Sequence, residues 1–394
     1  MKIKITILSL LIGISMGYAQ KSDSLLITKN TANRLIESDR KLTIGGYAQI
    51  DYNQEFGASE MKNGTLDVHR LVMLLGYNFN DRVQFVSEIE YEHVKEVYVE
   101  QAFLQYKVNS FINLRAGLML IPMGLINEYH EPPVFNGVER PLTDKYIAPT
   151  TWRELGFGLS GNIIKASLKY QAYVVNGFNG YDGSAHFSGK NGLRKGRQKG
   201  AESYISSPNF TGKVEYYGIR GLNLGLSGYF GKSQSTLFNN LDKNDNQAIA
   251  TADSSVIGIN MLGVDARYNF KGLQMRGQLY YSSFNNTDQY NQFTGSDMGS
   301  SMIGYYIEAG YNVFRPFNKI KSELIPFIRY EAYNTQNSMA GNLHSNPSYD
   351  NSNITIGMGW KITPQVVIKS DLQFYNSADK SSIKMFNAGV GVMF

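Results

Sequence analysis

Residues 383–394 read Ile-Lys-Met-Phe-Asn-Ala-Gly-Val-Gly-Val-Met-Phe. Phe386, Ala388, Val390, Val392 and Phe394 share one face at period two, and Asn387, Gly389, Gly391 and Met393 share the other. A strand that is apolar on one side, small or polar on the other, and ends on an aromatic residue is hard to place in a soluble core. It fits the closing strand of a β-barrel whose outer face meets lipid and whose inner face meets water.

The same alternation runs back along the chain. Ile164, Ala166, Leu168, Tyr170, Ala172 and Val174 oppose Lys165, Ser167, Lys169, Gln171 and Tyr173, and Leu222, Leu224 and Leu226 oppose Asn223, Gly225 and Ser227. Leu262 to Phe270 and Ile354 to Trp360 repeat the pattern. Helical period is nearly absent, and about sixteen such segments of barrel-strand length can be marked. They start near Lys41, Leu66, Arg82, Glu96, Phe111, Arg153, Ile164, Asn209, Gly221, Val256, Leu273, Met302, Lys321, Ser352, Gln365 and Ile383. Their connections alternate in length. Short turns at Asn80-Asp81, Asn109-Ser110, Asn162-Ile163, Ile219-Arg220, Lys271-Gly272 and Thr363-Pro364 interleave with long polar loops. The long ones are Gly177 to Pro208, Lys232 to Ser255, Asn285 to Ser301 and Asn334 to Asn351. Short periplasmic turns against long external loops is the arrangement of an all-β, antiparallel transmembrane barrel. A propeller would show a fixed repeat, and none is visible.

Composition agrees. Among 394 residues there are 27 Tyr and 21 Phe beside 39 Gly, 10 Pro and no Cys. Tyrosine in excess of phenylalanine suits rings that straddle lipid and water. The lack of cysteine removes disulfides, thiolate chemistry and cysteine-ligated zinc. A net charge of +5 is modest for this length and implies no nucleic-acid partner.

The first nineteen residues read as an export signal: Lys2 and Lys4, an apolar run from Ile5 to Met16, then Gly17-Tyr18-Ala19 as a cleavage site. The apolar run is shorter than the ~18–20 residues a membrane helix needs. Residues 20–40 form a polar, partly helical periplasmic lead, and residues 41–394 form the barrel in the cell outer membrane, embedded in its lipid. One connection differs from the rest. Residues 122–150 hold Pro122, Pro132, Pro133, Pro141 and Pro149, five of the ten prolines. Proline stiffens a loop and keeps it off the sheet ladder, so this segment is expected to fold into the lumen as a constriction.

The stretch Arg115-Ala-Gly-Leu-Met-Leu-Ile-Pro122-Met-Gly124, continued by Gly137-Val-Glu-Arg-Pro141 and Trp152-Arg-Glu-Leu-Gly156, resembles the phosphate-selective porin O/P family, in its Bacteroidota form. Gly46-Tyr-Ala-Gln49, Arg70-Leu71 and the terminal Phe394 agree with that likeness. The resemblance implies a trimeric sixteen-stranded channel for anions, some members selecting phosphate with a ladder of Arg and Lys. This chain departs from that pattern in the loop, where Glu128, Glu131, Glu139 and Asp144 face only Arg140 and Lys145.

Charge facing lipid costs about 2–4 kcal/mol at mid-membrane, so charged residues on inward faces must line the lumen. Those expected there are Arg70, Glu88, Glu90, Arg115, Lys165, Lys169, Lys213, Glu215, Asp265, Arg267, Arg276, Glu308, Arg329, Glu331, Lys361, Lys369 and Asp371. With them go Arg153 and the loop residues Glu128, His130, Glu131, Glu139, Arg140 and Lys145. Basic and acidic groups are mixed within about one Debye length, which predicts weak ion discrimination. Asp242, Asn244, Asn246 and Asp253 have the oxygen spacing of a calcium loop, although Gln247 stands where the turn glycine belongs. Gly156-Phe-Gly-Leu-Ser-Gly161 matches a dinucleotide fingerprint but lies within a strand and opens no helix. The five histidines suggest no hydrolytic arrangement. No cofactor and no catalytic group is expected. The sequence thus predicts a porin passing small polar or anionic solutes. The rival reading is a plugged barrel that binds a glycan or partner through its external loops.

Overall fold

The computed structural model describes residues 31–394; the expected export signal and the first part of the lead lie outside them. Eighteen strands form: β1 Leu42–Phe56, β2 Thr65–Asn78, β3 Val83–Glu92, β4 Glu96–Lys107, β5 Asn113–Leu120, β6 Arg153–Ile163, β7 Leu168–Val175, β8 Asn179–Tyr181, β9 Asn209–Ile219, β10 Leu222–Lys232, β11 Gln234–Ser235, β12 Gly258–Phe270, β13 Leu273–Asn285, β14 Ser301–Tyr311, β15 Glu323–Ser338, β16 Asp350–Thr363, β17 Val366–Ser377 and β18 Ser382–Met393. All but β8 and β11 pair antiparallel with their neighbours into a closed barrel of sixteen strands. β8 and β11 form a small parallel sheet of their own. Four helices accompany them: α1 Thr31–Ile36, α2 Thr143–Tyr146, α3 Asn246–Ser254 and α4 Thr287–Thr294.

Closure is made by the last residue. Phe394 and Gly46 exchange backbone hydrogen bonds, each 2.9 Å, and β18 then pairs with β1 from Met393–Tyr47 to Lys384–Phe56. Glycine is required at 46: a Cβ there would lie 2.4 Å from Val72 O and 2.8 Å from the Phe394 ring. The outer wall follows the pattern read from the sequence. Ile354, Ile356, Met358 and Trp360 are exposed on β16, while Asn353 and Thr355 are buried on its inner face. Exposed aromatics gather near both strand ends, with Tyr106, Phe111, Tyr311 and Trp360 toward the short turns. Tyr91, Phe210, Phe230 and Tyr281 lie toward the opposite strand ends. Such girdles mark the two lipid–water boundaries. No helix of the described residues is long and apolar enough to cross a membrane, so this chain crosses it with strands. It is an outer-membrane barrel.

Three expectations need correction. The alternation that starts at Ile164 is not strand at its outset: Ile164–Ala166 is a 3-10 turn, closed by Ser167 in the left-handed region. Apolar turn residues continued the period, so the pattern could not mark where the strand ended. Lys165 sits exposed on that turn and does not line the lumen. Second, the lead does not stay outside the barrel. Ala32 and Leu35 of α1 are buried against the inner wall. The Gln84 amide donates to Ile36 O at 2.8 Å, and the Asn78 amide donates to Ser38 O and Arg40 O. Third, the external loops are not uniformly polar and open. Phe178, Phe187 and Leu193 of the 176–208 segment pack with Trp152, Tyr229, Tyr290 and Met298 into a buried apolar cluster. Trp152 lies 4.6 Å from Phe178 and 4.7 Å from Tyr229, ring centre to ring centre.

Candidate functional site: the inner loop and its vestibules

The segment 121–152 folds into the lumen, as the prolines suggested, and nearly all of it is buried. Asn127 closes its neck. That amide donates to Ile121 O at 2.7 Å and to Trp152 O at 2.8 Å, and its oxygen accepts from Trp152 N at 2.9 Å. Entry and exit are thereby held together. Gly124 then passes against β13 with positive φ, where a Cβ would come within 2.4 Å of Gln278 Oε1, and Leu125 N donates to the same oxygen at 2.6 Å.

From the neck the loop is fastened around the wall, chiefly by charged side chains meeting loop backbone. Lys213 of β9 donates to Gly124 O at 2.6 Å and pairs with Glu128 at 3.0 Å. His130 sits between Glu100 of β4 at 3.2 Å and Glu88 of β3 at 3.5 Å. Arg276 of β13 donates to Val134 O, and Lys369 of β17 donates to Gly137 O at 2.8 Å. Asp371 accepts from Val138 N at 2.6 Å, and Glu331 of β15 accepts from Leu142 N at 2.5 Å. Arg267 and Lys369 also cover the rings of Tyr129 and Phe135, at 4.1 and 3.7 Å. Hydrogen bonds to charged groups contribute ~1.5–3 kcal/mol each when buried, so this loop is a fixed partition.

The expected lumen residues are thus found on inward faces, but most of them meet protein and not water. Arg70 pairs with Glu90 at 3.3 Å, Arg153 with Glu100 at 3.8 Å, Arg267 with Glu215 at 3.2 Å and Arg276 with Glu308 at 3.1 Å. Arg140 donates to His130 O at 3.2 Å, and Glu131 is buried beside it. Arg115 and Lys169 do face open space, while Lys145 is exposed on α2. The calcium spacing is not assembled. Asp242 accepts from Asn244 at 2.9 Å, whereas Asn246 begins α3 and Asp253 lies two turns further along the same helix, about 10 Å away by helical rise.

Two vestibules open on the short-turn side of the loop. One, of about 830 Å³, is lined by α1's end, the β2–β7 wall and Glu128 and Tyr129. Its charges are mixed: Lys41, Lys107, Arg115 and Lys169 against Glu37, Asp39, Asp81, Glu128 and Glu215. The other, of about 440 Å³, is strongly basic. Arg34, Arg267, Lys271, Arg276, Arg315 and Lys361 line it against Glu323. Arg267, Arg276 and Lys361 were expected on inward faces, but Arg315 and Lys271 lie on turns, which strand alternation does not address, and Arg34 belongs to the lead, so their gathering into one compartment was not visible in the sequence. On the other side of the loop, a cleft of about 390 Å³ is lined by Tyr146, Lys190, Tyr333 and Asn346.

Two loop groups make docking depend on pH. Burial favours neutral His130, but its hydrogen bonds to Glu100 and Glu88 outweigh that and hold the imidazole up to about 10. Burial pushes the Asp144 carboxyl up to about 7, against hydrogen bonds from Gln278 and Tyr280. Both folded values lie above the unfolded ones. Each contribution is therefore complete below the unfolded value and is lost as pH rises through the folded one. The His130 window runs from 6.5 to about 10, and that of Asp144 from 3.8 to about 7. Thermal stability in detergent should fall between pH 6 and pH 10, and His130→Ala should flatten the upper part of that fall. A profile that rises over this range would contradict the assignment.

No family model matches the chain. An uncharacterised protein of Aquifex aeolicus is 28% identical over 382 residues, covering 92% of this chain and 82% of that one. Among solved structures, the outer membrane channel DcaP of Acinetobacter baumannii matches with a TM-score of 0.57 at 10% identity, over 90% of this chain and 97% of that one. The anion-selective porin from Comamonas acidovorans matches with a TM-score of 0.56 at 13% identity, over 90% and 99%. The trimer form of OmpT from Vibrio cholerae gives 0.53 at 11% identity, again over 90% and 99%. At such identities the likeness is one of architecture: the chain has the closed sixteen-stranded barrel of outer-membrane porins.

Proposed function

We propose that this barrel is a porin-type channel through which small anionic solutes diffuse passively. The basic vestibule carries the reading: six cationic side chains line about 440 Å³ directly below the inner loop, and the balance stays positive after Glu323 and the Arg267–Glu215 and Arg276–Glu308 pairs are set against them. A low-dielectric enclosure amplifies the local sign of charge and concentrates counter-ions. The loop sets the width of the path, and the residues facing the vestibule set its preference. Relation to the phosphate-selective porin O/P family and assembly as a homotrimer complete the proposal, supported by the Arg115–Gly156 stretch and by the trimeric form of one structural neighbour.

The test is the zero-current potential across a salt gradient in planar bilayers. Where the mixed charges of the sequence predicted weak discrimination, the segregation of basic groups into this vestibule should make wild-type channels favour chloride over potassium, and the double variant Arg315→Gln/Lys361→Gln should lose at least half of that potential. An unchanged potential would take the basic vestibule out of the ion path. A single observation favours the plugged-barrel reading: the apolar cluster of Trp152, Phe178, Phe187, Tyr229 and Tyr290 across the external mouth. Absence of any conductance from correctly folded protein would decide for that reading.

A further inference from the structure

One group of side chains where the loop meets β1 and β2 has no direct ion pair to lysine or arginine. Asp51 of β1 is buried, and directly opposite it in the β1–β2 register stands Asp67. Like charges facing each other across a strand pair are destabilising. Among the described residues, no lysine or arginine nitrogen lies within 4.0 Å of either carboxylate, nor of Glu139, which the inner loop brings to the same place. Lys369 nearby is bonded to Gly137 O and Arg329 to the Glu139 carbonyl, so the groups that meet the Asp51 and Asp67 carboxylates directly are imidazoles. His69 Nδ1 is 3.0 Å from Asp51 Oδ2, His93 Nδ1 is 2.5 Å from Asp67 Oδ2, and the two rings are 5.5 Å apart. One donor atom from each of Asp51, His69 and Glu139 lies within 4.8 Å of the other two.

The carboxylates are also oriented by neighbours. The Gln49 amide donates to Asp51 Oδ2 at 2.7 Å, and the Asn53 amide donates to Glu139 Oε1 at 3.0 Å. Hydrogen bonds of this kind fix the aim of metal ligands. The other histidine–carboxylate cluster of this kind among the described residues is different. His130, Glu88 and Glu100 have Arg153 at 3.8 Å from Glu100, and Arg70 pairs with the adjacent Glu90. That cluster already holds its counter-charge and acts as an ion-pair lock.

We propose that Asp51, His69 and Glu139, with His93 and Asp67 beside them, bind a divalent transition-metal ion that joins the inner loop to the barrel wall. Mixed imidazole and carboxylate donors suit Zn²⁺, Ni²⁺ or Cu²⁺ and not Mg²⁺ or Ca²⁺, which take oxygen ligands. Ligand distances of about 2.0–2.2 Å put tetrahedral donors roughly 3.4 Å apart. Asp51 and His69 are near that spacing, and the Glu139 donor, within 4.8 Å of both, has to close by at most about 1.4 Å. His69 and His93 are partly exposed, with side-chain accessibilities of 22% and 47%, so an ion can reach them from solvent. The proposal does not depend on the chain being a channel.

Calorimetric titration of ZnCl₂ into the purified full-length barrel tests it, with Mg²⁺ as a control ion. One Zn²⁺ per chain is expected, with no Mg²⁺ binding. Affinity should drop tenfold or more in His69→Ala and in Glu139→Gln, and stay unchanged in His186→Ala, whose ring pairs with Asp182 elsewhere at 2.8 Å. Glu139 lies outside the strands, so its variant keeps the test open if His69→Ala fails to fold. X-ray absorption of zinc on the wild-type protein should show nitrogen and oxygen neighbours in its first coordination sphere. Zinc binding that survives Glu139→Gln undiminished, or that is lost in His186→Ala, would overturn the assignment.

Discussion

Deleting Phe394 should reduce correctly assembled barrel in the outer membrane by at least an order of magnitude. Its backbone N–H and C=O both bond to Gly46 at 2.9 Å and close the seam on the short-turn side. Without them, Gly46 presents an unpaired donor and acceptor at the membrane boundary, and each unsatisfied group in a lipid environment costs several kcal/mol. The open edge is also a template for pairing with another chain. The Phe394 ring adds a lipid-facing anchor at the interface. Heat-modifiable gel migration and membrane yield measure the effect. Gly46→Val should reproduce it, because its Cβ would meet Val72 O and the Phe394 ring. Phe394→Tyr, which keeps backbone and ring, should assemble normally. Wild-type yield after deletion would show that closure begins elsewhere on the seam.

Replacing Lys213 with Met should free the first half of the inner loop. Its ammonium group is buried among Glu128 at 3.0 Å, Asp265 at 3.4 Å and Glu215 at 3.7 Å, and also holds Gly124 O. Arg267 still reaches Glu215 at 3.2 Å, but Glu128 and Asp265 lose their cation. Removing one partner of a buried pair costs about 3–5 kcal/mol, because the other charge stays behind unpaired. Undocking the loop is the way to relieve this, since it lets Glu128 reach water. The variant should show a lower unfolding temperature and a larger, noisier single-channel conductance. Adding Glu128→Gln should recover part of the stability. Unaltered conductance in a variant that is measurably destabilised would show that this part of the loop does not limit the path.

Most of the barrel was legible because lipid and water impose opposite demands on alternate residues. Leu262 and Val264 point outward and Asp265 and Arg267 inward, as their alternation requires. Pairing across the lumen was not legible. Nothing local links Lys369 to Gly137, or Asp371 to Val138, since more than two hundred residues separate each pair. The histidines were partly legible. Arg70 faces Glu92 across the β2–β3 hairpin, so one step further out His69 must meet His93, and the backbone does bond there at 3.2 Å. Their spacing about the Asn80-Asp81 turn held that signal. Strict alternation hid it, because the β1–β2 register slips between Gln49 and Asp51 and both Arg70 and His69 turn inward. The apolar cluster of the 176–208 loop was missed because its Phe178, Phe187 and Leu193 are dispersed among polar and glycine residues without a period.

The far-flung anchors of the inner loop also order events during assembly. Its partners on β3 and β4 are available early, but Lys369 and Asp371 belong to β17, the last strand but one. Contacts between such distant parts of a chain form late, since the entropy of closing the intervening segment must be met first. The stretch at Gly137 and Val138 therefore cannot settle until the barrel is almost complete, although the first half of the loop can dock on β9 and β13 before it. A nascent barrel should then hold a partition fastened on one side only, which closes across the lumen when β17 arrives.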